Sequence, residues 1–81
     1  MKKVTPEMID SNIVSTDYTM ITALMTHCRI TLKSGFVLTG ESACINTETF
    51  DAEKGRKIAR ERAYSKAWEL FAFYLMQAEV N

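Results

Sequence analysis

The sequence predicts an α+β fold: a short N-terminal helix, a small antiparallel β-sheet centred on a hairpin, and a long C-terminal helix packed across it. Three observations carry this reading. Cys28, Ile30 and Leu32 alternate with His27, Arg29, Thr31 and Lys33, the period of two that marks a half-buried strand. Lys33-Ser34-Gly35 then reads as a turn leading into a second β-type run, Phe36-Val37-Leu38-Thr39. Beyond Asp51, the residues Ile58, Ala59, Ala63 and Ala67 recur at helical spacing.

At the start of the chain, Thr5 can cap a helix, Pro6 suits its first position and Glu7 complements its dipole. Met8, Ile9 and Ile13 would give this short helix an apolar edge. Val14 to Met20 reads as a strand, although its alternation is weak. For the central hairpin, register follows from the faces. A two-residue turn at Ser34-Gly35 would pair Lys33 with Phe36 and Thr31 with Leu38, mixing polar and apolar groups. A three-residue loop with Gly35 left-handed pairs Leu32 with Phe36, Ile30 with Leu38 and Cys28 with Gly40, which gathers the large apolar groups on one side. Gly40 on that buried face invites close approach by another element. Glu41 to Ile45 continues or ends the second strand, and Asn46-Thr47-Glu48-Thr49 is turn-like. Asp51 is the best cap for the long helix, which runs from Ala52 to about Ala78 with Glu53 in its first turn. Gly55 inside it lowers helix stability by about 1 kcal/mol relative to alanine, which points to a close contact there.

The chain has 81 residues, 47% hydrophobic and 25% charged, which suits one globular domain spanning 1–81. A domain of this size buries only roughly 60% of its unfolded surface, so a staple is expected. The start, Met1-Lys2-Lys3-Val4-Thr5-Pro6-Glu7, turns polar before any apolar run and is not a signal peptide, so Cys28 and Cys44 are expected to be reduced and packed. One histidine and two cysteines cannot complete a structural zinc site, and no metal or cofactor is expected. No apolar stretch approaches the ~20 residues of a membrane span. Oligomerisation remains. Trp68-Glu69-Leu70-Phe71-Ala72-Phe73-Tyr74-Leu75-Met76 is apolar almost all round, and one small sheet cannot cover it. Trp68, Phe71, Phe73 and Leu75 are therefore expected at an interface between copies of the chain.

Formal net charge is zero, yet six of the ten basic residues, Lys54, Arg56, Lys57, Arg60, Arg62 and Lys66, fall in one short segment. Arg56 and Arg60 lie on the side of the helix that also carries Ala67 and Phe71. Their guanidinium groups can pair with acids such as Asp51 or Glu53, cover an oligomer seam, or grip an anion bidentately. Zero net charge disfavours duplex nucleic acid as a partner. Tyr64 and Trp68 lie one turn apart beside the cluster and read first as core aromatics. His27 on a polar strand face has no nucleophile or carboxylate signalled beside it. Ser42 lacks the strand-to-helix elbow of serine hydrolases. The chain is not expected to be an enzyme.

Two stretches carry a resemblance. Cys28 to Cys44, with its Gly40-Glu41-Ser42-Ala43-Cys44 ending, and Phe50-Asp51-Ala52-Glu53-Lys54-Gly55-Arg56-Lys57-Ile58-Ala59-Arg60-Glu61 with Ala63, Lys66 and Trp68, resemble a family of small tailed-phage and prophage accessory proteins. After Trp68 the chain departs from that family's acidic-Gly-Tyr-Leu-Leu ending. More distantly, the pattern resembles phage proteins that defeat Thoeris defence by sequestering a cyclic ADP-ribose signal. That resemblance implies a multimer in the bacterial host cytoplasm that binds a cyclic or ADP-ribose-type nucleotide at subunit interfaces, with Phe50, Arg56 and Arg60 as ligand contacts. A module that inhibits a host protein through its apolar surface is the alternative.

Overall fold

A computed structural model describes residues 3–44 and 51–80, with side chains as far as Ala78. The order is α1 (Pro6–Asp10), β1 (Ile13–Thr22), β2 (Met25–Leu32), β3 (Val37–Ala43) and α2 (Ala52–Val80), with the strands in one antiparallel sheet in the order β1-β2-β3. This is the predicted α+β architecture.

α1 begins as its sequence requires. The Thr5 hydroxyl accepts from the Met8 amide at 3.2 Å, and Pro6 opens the first turn. The helix stops at Asp10, and Ser11 caps its end. Ile13 is therefore the first residue of β1 and not part of the helix edge, a correction to the sequence reading; Ile9 alone plugs the core, fully buried.

The central hairpin is the three-residue loop. The Leu32 amide donates to the Phe36 carbonyl and the Gly35 amide to the Leu32 carbonyl, both at 2.9 Å, and Gly35 has φ +91°. Ile30 pairs with Leu38 and Cys28 with Gly40. A first hairpin, absent from the sequence reading, joins β1 to β2 through Ala23 and Leu24, and β2 starts earlier than its clear alternation, at Met25. Cys44 ties back to this turn through its amide, which donates to the Leu24 carbonyl at 2.8 Å.

β1 contains two bulges. Ile13 pairs with Leu32 and Ser15 with Thr31, leaving Val14 extra; Met20 pairs with Thr26 and Thr22 with Met25, leaving Ile21 extra. Each bulge swaps the faces of the residues beyond it. This is why the alternation of β1 is weak in sequence although Ser15 to Met20 pair regularly.

α2 starts where Asp51 predicts, its carboxylate accepting from the Lys54 amide at 3.2 Å. The helix lies across β3 and β2. Its seam is made of small residues: Ala59, Ala63 and Ala67 are all buried against Ile9, Cys28, Ile30, Leu32 and Leu38. Burying the four large aliphatics Ile9, Ile30, Leu32 and Leu38 contributes about 1.5–3 kcal/mol each. Gly40 is the tightest point of the seam. A Cβ there would sit 2.5 Å from the Ala59 carbonyl oxygen, 2.9 Å from the Arg62 carbonyl carbon and against the Ala63 amide. At Gly55, where the sequence predicts a close contact, the structure shows a hydrogen bond to the backbone carbonyl, which any residue could accept: the buried Ser42 hydroxyl donates to it at 2.6 Å.

Candidate functional site

With Ala59, Ala63 and Ala67 facing the sheet, helical periodicity places basic residues of α2 on both flanks of that seam. On the β3 flank, Arg62 Nη1 donates to the Glu41 carbonyl at 2.8 Å and Lys66 Nζ to the Thr39 carbonyl at 2.5 Å. These cations satisfy acceptors on the outer edge of the sheet. Among the described residues the ion pairs are His27 with Glu41, at 3.8 Å, and Arg29 with Asp17, at 3.5 Å, so the cluster is not held by Asp51 or Glu53.

The opposite flank carries Arg60 and Tyr64, while Arg56, seven residues before Ala63 and so nearly in line with it, stands at the start of the seam face. The Arg60 guanidinium sits 5.2 Å from the centroid of the Tyr64 ring, a cation–π stack. The Tyr64 hydroxyl donates to Asp10 Oδ1 at 3.0 Å, fixing the ring against α1. Burial first, then the hydrogen bond and charge of Asp10, push the Tyr64 phenol above its ordinary value, with Arg60 opposing. Arg60 also reaches the sheet electrostatically. Burial pushes the Cys28 thiol up, the Arg60 charge pulls it down, and Asp17 pushes it up. Arg56 stands one turn before Arg60 and is exposed, as are Lys54 and Lys57.

Beside this flank, α2 leaves part of the sheet bare. Tyr18 pairs with Cys28 and Met20 with Thr26, so both share the helix-facing side; yet Tyr18 is 40% and Met20 46% exposed. The Thr26 hydroxyl donates to the Met20 sulfur at 3.4 Å, which seats Met20 on that face. Thr16, Tyr18 and Met20 thus form a helix-side row of β1, on the side of the sheet away from β3, of which Tyr18 and Met20 stay uncovered. Two guanidinium forks one turn apart beside aromatic rings suit a flat anion.

Of the predicted ligand set, Arg56 and Arg60 stand one turn apart on α2, while Phe50 lies outside the described residues. Tyr18 was missed. An aromatic in a weakly alternating strand gives no sign of which face it takes. Tyr64, read as a core aromatic, packs partly against the core and also serves as the platform for Arg60.

The predicted interface residues are divided. Trp68 and Phe73 are exposed, as are Tyr74 and Met76; Leu75 is buried within the chain. Phe71 packs partly on the core and lines an open apolar hollow of about 550 Å³ with Met8, Leu32, Phe36, Leu70 and Tyr74. Among the described residues, no helix is long and apolar enough to cross a membrane, and no cluster of His, Cys, Asp and Glu is arranged to hold a metal.

A family model described as "Phage protein (N4 Gp49/phage Sf6 gene 66) family" matches residues 4–79. Comparison with curated proteins and with solved structures yields no match.

Proposed function

Because the chain belongs to the N4 Gp49/phage Sf6 gene 66 family of phage proteins, we propose that it is an accessory protein of the phage that self-assembles in the host cytoplasm and sequesters an anionic nucleotide, of cyclic or ADP-ribose type, to counter a host defence signal. The observation that carries this reading is the pair Arg56 and Arg60, one turn apart on α2, with Arg60 stacked on Tyr64 and Tyr18 left uncovered on the helix side of the sheet. Arginine forks supply bidentate contacts to phosphate, and tyrosine rings supply stacking for a base. Each charge-assisted contact contributes about 1.5–3 kcal/mol, so losing one arginine should weaken binding about ten- to a hundredfold.

The test is calorimetry against a panel of cyclic and ADP-ribose nucleotides, followed by thermal shift of wild type and Arg60→Ala with and without nucleotide. The expected result is a ligand-dependent shift in wild type that Arg60→Ala loses. Absence of a shift with every phosphate-bearing ligand would refute the anion site and leave Arg60 a structural partner of Tyr64.

A second reading rests on a different observation. Phe73, Tyr74 and Met76 are each about two-thirds exposed at the end of α2, and apolar groups so presented fit a protein partner. In that reading the chain is an interaction module that inhibits a host protein. Silence in calorimetry, together with capture of one host protein that Phe73→Asp abolishes, would favour it.

A further inference from the structure

The two outer edges of the sheet are treated differently. On β3, Arg62 and Lys66 reach over from α2 and occupy the carbonyls of Glu41 and Thr39, so another strand cannot pair there without displacing both cations. On β1, among the described residues, the outer edge has neither such cover nor a partner strand. Natural edges are blunted by lysine, proline, charge or bulges. β1 has no lysine or proline, and its one charge, Asp17, is turned sideways to Arg29 across the sheet. Its two bulges fall at the ends, at Val14 and Ile21, and leave Ser15 to Met20 as a regular run of backbone donors and acceptors. Around that run, Val14 is 64% and Ile21 53% exposed, besides the half-exposed Tyr18 and Met20.

We propose that the β1 edge pairs antiparallel with β1 of a second copy of this chain, joining two three-stranded sheets into one of six strands. An antiparallel pair of identical strands is self-complementary about a two-fold axis, so one open edge suffices to close a dimer. Centring the pair on the regular run from Ser15 to Met20 puts the axis at Asp17 or Tyr18, and charge decides between the two. An axis at Asp17 would oppose two like charges, which destabilises a cross-strand pair. An axis at Tyr18 sets Asp17 opposite Thr19 of the partner subunit and Thr16 opposite Met20 of the partner subunit. Directly opposed residues share a face, so Tyr18 meets its own counterpart on the helix side and both α2 helices lie over the same face of the joined sheet. The guarded β3 edges become the outer limits of the assembly, which therefore stops at two copies along the sheet. Each helix-side row of Thr16, Tyr18 and Met20 then continues into its counterpart across the axis. The interface lies on β1 and not on the aromatic end of α2, and it stands whether or not the arginines of α2 bind a nucleotide.

Light scattering coupled to size exclusion tests this on the full chain. Wild type is expected to be a dimer at micromolar concentration. Tyr18→Lys and Tyr18→Glu, each placing two like charges across the axis, are expected to be monomers. An equimolar mixture of the two is expected to dimerise again, because the opposed charges then attract. Phe73→Asp is expected to leave the dimer intact. A wild type that stays monomeric at about 100 µM, where a dimer of micromolar Kd would be mostly formed, would overturn the proposal. A dimer that survives both Tyr18 variants but dissociates with Phe73→Asp would also overturn it, and would move the interface to α2. Should the Tyr18 variants fail to fold, hydrogen exchange on wild type decides: amide protection in residues 15–20 that weakens on dilution supports the pairing, and protection independent of concentration refutes it.

Discussion

On its β3 side the sheet is bound to α2 at every level available to it. A glycine admits the helix backbone, a buried serine donates to the helix, and two cations of the helix satisfy the strand's outer carbonyls. On its β1 side the same sheet carries more large apolar groups, yet the helix covers few of them, and Tyr18 and Met20 stay half exposed. The difference shows that coverage by α2 is set by how closely the helix can approach, not by how much apolar surface is available. The helix lies where Gly40 and the alanine seam let it come nearest. The larger side chains of β1 are left at the margin, where a ligand or a second copy can use them.

The largest expected effect comes from breaking the close side. Gly40→Ala puts a methyl group into the backbone of α2 at 2.5 Å from the Ala59 carbonyl oxygen, and backbone has no rotamer with which to yield. Destabilisation of about 3 kcal/mol or more is expected, the upper end for overpacking. At about 4–8 °C per kcal/mol for a domain of this size, thermal denaturation should show a fall in Tm of more than about 12 °C. An unchanged Tm would mean that α2 does not rest on Gly40.

A smaller loss is expected at the hairpin that holds β2 to β3. Gly35 lies at φ +91° with open space around its missing side chain, so the strain of Gly35→Val is purely that of the backbone. It should be about 1–2 kcal/mol, read as a lower midpoint in urea with an unchanged slope.

Tyr64 links α2 to α1 at the margin nearest β1. Tyr64→Phe removes the hydrogen bond to Asp10 and should lower stability by about 0.5–1.5 kcal/mol near neutral pH. Because the folded phenol titrates above its ordinary value near 10, its contribution is fully present below that pH and is lost as pH rises through the folded value. Wild-type stability should therefore fall on the alkaline side, and this part of the fall should be missing in Tyr64→Phe. Denaturant melts from pH 8 to 11 would show it.

The smallest change in stability, with a separate readout, is expected from uncovering the guarded edge. Arg62→Ala with Lys66→Ala removes two exposed hydrogen bonds and should alter stability by less than about 1 kcal/mol. It should, however, open β3 to strand pairing, seen by light scattering as growth beyond the wild-type species at rising concentration. If the double variant keeps the wild-type size at all concentrations, the two cations do not guard the edge.

The parts of this molecule legible in its sequence are those where one local rule governs. Thr5-Pro6-Glu7 and Asp51 fixed both helix starts, and the faces of Ile30, Leu32 and Leu38 fixed the hairpin register with Gly35 left-handed. Gly40 was legible as a point of close approach because a glycine on a buried strand face has few other uses. β1 was blurred for two physical reasons: bulges at Val14 and Ile21 exchange its faces, and partial coverage leaves its inner side half wet. The first hairpin was missed because Thr22-Ala23-Leu24-Met25 holds no glycine, proline or asparagine to mark a turn. At the candidate site, the clustering of Arg56 and Arg60 was visible from spacing. The division of the basic residues into an edge-binding pair and a tyrosine-stacked arginine was not, because it depends on where the helix lies across the sheet.

The seam has one more consequence. Gly55, Ala59, Ala63 and Ala67 repeat a small residue at every fourth position, so a slide of α2 by one turn, about 5.4 Å, would again bring small residues to Gly40. In one direction the slide is blocked by bulk, since Leu70 and Phe71 would have to enter the seam. In the other, nothing in the seam itself resists. There the hold is polar and peripheral: Ser42 on Gly55 at one end, Arg62 and Lys66 on the Glu41 and Thr39 carbonyls along β3, and Tyr64 on Asp10 on the other flank. The helix is thus a one-way ratchet with four pawls, all of them hydrogen bonds at its margins.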